Sequence, residues 1–202
     1  SRIKALAVLL SSPKSSEFGL LKCIGFFQDD QTAAEKYGLL FEVSDMQVTQ
    51  LTPGPALPSL QPRRPCSLYE YITTTKQDPP LLGDRFRMAS ALCNILLQIH
   101  ASNWLHKAIR SSNIFFLCQN LEASLPHLDM SNPFLMGFDF SRPDRLAAES
   151  LELPRDQVDK AYRHPALWPS QTSGQKPRFR KEFDIFALGV VLLEIGNWRL
   201  VG

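Results

Sequence analysis

The chain of 202 residues carries 22 Lys and Arg against 20 Asp and Glu, a formal net charge of +2, and is 44% hydrophobic and 21% charged. It is too apolar and too nearly neutral for intrinsic disorder, it has no basic surplus for nucleic acid, and it is long enough to hide roughly 70% of its unfolded surface in a core. Its longest apolar run, 185–193, falls well short of the roughly 20 residues that a membrane helix needs, so no membrane span is expected.

Residues 2–10 predict a short helix, with Ile3, Leu6, Leu9 and Leu10 at helical spacing. Residues 20–27 and 37–43 read as strands joined by a polar turn over 28–36, an antiparallel hairpin. Pro53, Pro55, Pro58, Pro62 and Pro65 make 44–65 a linker or surface loop in which neither helix nor ladder is expected. Ser67, with Glu70 three residues on, predicts a capping box opening a helix over 67–74. Over 83–101, Leu82, Phe86, Ala89, Leu92, Leu96 and Ile99 recur at helical spacing. Two extended runs, 113–118 and 134–140, precede a long loop over 141–182. Residues 183–196 are apolar on all faces, which predicts a buried helix.

Cys23, Cys66, Cys93 and Cys118 are widely spaced and form no C-x-x-C pair. That excludes a disulfide framework or zinc knuckle and favours reduced thiols in the cytoplasm. Residues 1–10 read as an internal segment rather than a signal peptide. The architecture expected from these elements is α+β.

Specific residues add a resemblance. His106-Lys107-Ala108-Ile109-Arg110-Ser111-Ser112-Asn113 is similar to the protein-kinase catalytic loop, H-R-D-L-K-x-x-N. Gly137-Phe138-Asp139-Phe140-Ser141-Arg142 resembles the D-F-G-L-A-R stretch, and Tyr162-Arg163-His164-Pro165-Ala166 resembles Y-R-A-P-E. The run from Asp184 to Glu194 resembles the buried central helix, D-x-x-x-L-G-x-x-L-x-E. These stretches stand in the family's chain order. The pattern is also similar to kinase-like domains of filamentous fungi that follow HeLo-type, prion-inhibition domains.

The resemblance implies a truncated two-lobe fold. Residues 1–45 would be the end of the small lobe, 46–66 a proline-rich linker, and 67–202 the front half of a mainly helical large lobe. It implies a hinge near Glu42 to Asp45, so that Glu42 and Ser44, with Asn113, would face a nucleotide. It implies structural roles for His106, Phe138 and Asp184, the last bracing the loop around His106.

Phosphoryl transfer depends on positioning and charge around ATP, Mg²⁺ and a hydroxyl. The Gly-rich loop and strand lysine would precede residue 1. Ala108 stands where the resemblance puts the catalytic Asp, leaving His106, Lys107, Arg110 and Asn113 as a degenerate loop. Two registers remain open at the next motif. In one, Gly137 takes the metal-aspartate position and no carboxylate remains there. In the other, Asp139-Phe140-Ser141 reads as D-F-G, and Asp139 joins Asn113 on a metal. An extended segment would let Asp139 point the same way as residue 137. The expectation is a pseudokinase acting through protein partners; ATP and Mg²⁺ enter only in the alternative of an active Ser/Thr-type kinase using Asp139.

Overall fold

The computed structural model describes residues 2–12, 19–29, 36–43, 64–76, 78–118, 130–145, 160–168 and 178–201. The architecture is mixed α+β with small antiparallel sheets. The first helix, α1, is Arg2–Ser11, and it packs on the hairpin of β1 (Lys22–Asp29) and β2 (Lys36–Glu42). Leu6, Leu10 and Cys23 are buried there. The hairpin register sets Lys22 opposite Glu42 and Gly25 opposite Leu40, with a bulge between Cys23 and Gly25.

A strand stands where the proline-rich linker was expected to end. β3, Arg64–Ser67, pairs with β5, Ile114–Cys118, and Pro65 lies opposite Leu117. The sheet runs β3-β5-β6, with β6 being Phe134–Leu135, so β3 is an edge. An edge strand can turn one side away from the ladder, so a proline costs it no hydrogen bond there. The remaining linker residues, 46–63, lie outside the described residues.

Ser67 ends β3 and caps α2, Leu68–Thr74. Its hydroxyl accepts from the Glu70 amide at 3.1 Å, and the Glu70 carboxylate accepts from the Ser67 amide at 2.9 Å. The long helix α3 spans Leu82–Ala101. Its buried stripe is Met88, Leu92, Ile95, Leu96, Ile99 and His100, whereas Leu82 and Phe86 are exposed, against expectation. The contact with α4 (Lys181–Asn197) explains this. Arg85 of the first turn reaches the Gly196 carbonyl, and His100 of the last turn reaches Asp184. The two helices therefore run antiparallel, with the first turn of α3 beside the last turn of α4, and at about 3.6 residues per turn Phe86 projects away from the buried stripe.

Two further short strands, β4 (Trp104–Leu105) and β7 (Arg142–Pro143), pair with each other. The run 134–140 is extended only over β6. Gly137 then adopts φ 81°, in the left-handed region, and Phe138–Phe140 form a 3₁₀ turn. Another 3₁₀ turn, Pro165–Leu167, lies within the region read as loop. α4 buries Phe183, Ala187, Leu188, Val191 and Ile195, but it is not enclosed on all faces: Ile185 is 56% and Leu193 58% exposed. One continuous core joins α1, β1, α2, α3 and α4, and Trp198 closes it by packing edge-to-face on Tyr71 at 5.7 Å.

Candidate functional site

The site is built around Asp184, in the first turn of α4. Its side chain is fully buried. One oxygen accepts from the His106 amide at 2.8 Å, the other from the Lys107 amide at 2.7 Å, and the His100 imidazole lies 3.2 Å away. A buried carboxylate is tolerated only when charge-assisted hydrogen bonds replace its water. Here those bonds tie the 106–113 loop to α4.

The loop is held from other sides as well. The His106 ring packs on Phe138, centroids 4.7 Å apart. Its Nδ1 accepts from the Ala108 amide at 3.3 Å, and Ser141 Oγ donates to the His106 carbonyl at 3.0 Å. Burial pushes the His106 imidazole down to about 4, with Asp184 opposing. The ring is therefore neutral at ordinary pH, with its proton on Nε2, which makes no well-formed hydrogen bond. Lys107 is buried with φ 72°. Burial, with Arg142 and Arg2 adding to it, pushes its amine down to about 8.

Asn113 ends the loop. Its amide nitrogen donates to the Ala108 carbonyl at 2.7 Å. Its side chain lies against Gly137, where an added Cβ would stand 2.3–2.9 Å from the Asn113 amide group. Only glycine suits both that contact and the left-handed φ. Asp139 follows on the 3₁₀ turn and is exposed, because the left-handed residue and the turn break the extended path that would have aligned its side chain with position 137. Its backbone carbonyl accepts from Arg2, which also donates to the Ser141 carbonyl at 2.9 Å, clamping α1 onto this segment.

Glu42 lies on β2, exposed and paired with Lys22 at 2.9 Å. Ser44 lies outside the described residues. Thus His106, Lys107, Ala108, Asn113, Phe138 and Asp184 are brought together; the exposed Asp139 carboxylate is near enough for its charge to act on His106, and Glu42 is paired with Lys22.

A Mg²⁺–nucleotide site does not fit these residues. Position 137 has neither a carboxylate nor room for a Cβ, and Ala108 supplies no oxygen ligand from its side chain, which leaves of these three positions only the Asn113 amide oxygen, its nitrogen being held by the Ala108 carbonyl. Among the described residues no group of three or more His, Cys, Asp or Glu is placed to hold a metal.

Three contacts were not legible in the sequence. Tyr162 donates to Glu194 at 2.8 Å and meets Ser111 at 2.9 Å. Glu194 is fully buried, and burial raises the pKa of its carboxyl and, further, that of the Tyr162 hydroxyl. Arg142, also buried, donates to the Phe179 and Pro143 carbonyls. The third is a cleft bordered by Lys107, Arg110, Tyr162 and Phe179. No protein-family model matches the sequence, and neither does any curated protein.

Proposed function

We propose that the chain is part of a protein-kinase-like domain, the end of a small lobe with the front half of a large one. In this reading it has lost phosphoryl-transfer chemistry and serves as a scaffold or regulatory module for protein partners in the cytoplasm, in the manner of fungal signalling domains. The observation that carries the reading is the Asp184 carboxylate holding the His106 and Lys107 amides. A loop pinned so firmly beside Ala108 keeps its shape without a general base. The His106–Phe138 contact and the closeness of Asn113 to Gly137 favour the register in which Gly137 takes the metal-aspartate position. Cys23 and Cys93, which form no disulfide among the described residues, agree with a reducing compartment.

Nucleotide linkage tests this. A ligand at 100-fold over its Kd adds about 2.7 kcal/mol, which for a chain of this size is roughly 5–11 °C in Tm. Millimolar MgATP is expected to leave Tm unchanged. A rise of that size, abolished by Asp139→Asn, would overturn the reading in favour of an active kinase that uses Asp139.

A further inference from the structure

Glu194 lies in the last turn of α4, and its side chain is fully buried. Other segments converge on it. Tyr162 donates to Glu194 Oε1 at 2.8 Å, and the Val201 amide, past the end of α4, donates to the same oxygen at 3.0 Å. The Ser111 hydroxyl, from the 106–113 loop, meets the Tyr162 hydroxyl at 2.9 Å. One carboxyl therefore joins the loop, the turn at 160–167, α4 and the stretch that follows it.

The second oxygen, Oε2, is buried with no hydrogen-bond partner among the described residues. The groups that act on the carboxyl are the Val201 amide and the Tyr162 and Ser111 hydroxyls, and among the described residues no Lys, Arg or His joins them. Asp184 differs, because backbone amides engage both of its oxygens. A buried carboxylate with one oxygen bare and no cation beside it is costly, and the neutral acid is far less so. Burial accordingly raises the pKa of this carboxyl above its ordinary 4.5. The Tyr162 hydroxyl is raised too, so it stays a donor.

The turn has a second anchor in His164, whose ring packs on Phe183 at 4.9 Å and on Phe186 at 5.0 Å. Between the two anchors, Tyr162, His164 and Leu167 form one wall of a cleft of about 110 Å³.

We propose that Glu194 and Tyr162 form a pH-sensitive latch: with the carboxyl protonated, the turn is held against α4 and the 106–113 loop, and ionisation frees the turn and moves this wall of the cleft. The inference does not depend on the kinase-like reading. The proton leaves to solvent, and the carboxylate gains its missing hydrogen bonds from water that enters as Tyr162 gives way. Opening exposes a carboxyl of ordinary pKa. Between 4.5 and the displaced value the open form therefore binds fewer protons than the closed one. Opening is favoured roughly tenfold for each pH unit climbed through that window and levels off above it.

Hydrogen exchange on the whole chain, read by mass spectrometry from about pH 4.5 to about pH 8 and corrected for the chemical exchange rate, tests the latch. The amides of Arg163, Ala166, Leu167 and Trp168 are hydrogen-bonded within the turn and serve as reporters. Their protection is expected to fall by that factor as pH rises, while the β5 amides hold steady. In Glu194→Gln, which keeps an acceptor for Tyr162 without a charge, protection of the turn should not vary in this way. Tyr162→Phe should leave the turn weakly protected at every pH. Infrared spectra of the unaltered chain give a readout that needs no variant. A protonated-acid C=O band should outlast the ionisation of the exposed carboxyls and vanish as protection falls. The same pH dependence in Glu194→Gln would assign it to His164, which shares the turn, and would overturn the proposal. Protection that rises with pH, or an acid band lost together with the exposed carboxyls, would overturn it as well.

Discussion

Replacing Asp184 by Asn should destabilise this protein out of proportion to the one-atom change. The carboxylate is fully buried and accepts from the His106 amide through one oxygen and from the Lys107 amide through the other. Asn keeps one acceptor and turns the second into a donor. One backbone N–H then faces an NH₂ group with no water to accept from it. Hydrogen bonds to a charged group are worth about 1.5–3 kcal/mol each, and a buried donor left unsatisfied costs about 1–3 kcal/mol more. The expected loss is therefore about 3–5 kcal/mol, in line with breaking a buried charged network. At roughly 2–4 °C per kcal/mol for a chain of this length, Tm should fall by roughly 6–20 °C. Urea unfolding followed by far-UV circular dichroism measures the free energy, and Trp104 and Trp198 report tertiary packing by fluorescence. His100→Ala separates the imidazole contact from the backbone bonds and should cost less. If Asp184→Asn lies within about 0.5 kcal/mol of the parent, the size of an ordinary surface change, the loop is not held by this carboxylate and the reasoning fails.

Two other predictions follow from the same region. The His106 imidazole is held neutral, displaced from 6.5 to about 4. The unfolded chain therefore gains a proton below about 6.5 that the native chain refuses, and stability should fall as pH drops from about 6.5 towards 4, by up to about 3 kcal/mol. His106→Gln should flatten that part of the pH–stability curve; an unchanged slope would assign it to other groups. Gly137→Ala forces a Cβ into the Asn113 amide and strains a left-handed φ, at a cost of about 1–3 kcal/mol. Removing the obstruction with Asn113→Ala in the same chain should recover part of that loss, and strict additivity in denaturant titrations would show that the two residues do not touch.

Some of this was legible because it is local. The capping box needs only Ser67 and Glu70 three residues apart, and both of its hydrogen bonds are present. The hairpin and α3 follow from the spacing of apolar residues and α4 from an unbroken apolar block, signals that lie within a few residues of each other. Charges at the hairpin end are likewise local, with Lys22 directly opposite Glu42.

What the sequence by itself determined is therefore the hairpin, the four helices and the mixed α+β class. Tertiary structure alone decided which faces they bury and where polar groups meet. Pro65 lies in a strand because β5 offers an edge at Leu117, far along the chain. Phe86 is exposed because the buried stripe of α3 runs through Met88, Leu92, Ile95 and Ile99, and at about 3.6 residues per turn Phe86 projects away from it. Asp139 is separated from the Asn113 side chain by the left-handed turn at Gly137, a conformation required by a contact that only the folded chain makes. Asp184 stands 78 residues from the amide of His106 that it holds, and nothing in either residue's own neighbourhood fixes that distance. Propensity and periodicity act over a few residues, whereas burial and hydrogen-bond satisfaction are properties of the closed fold.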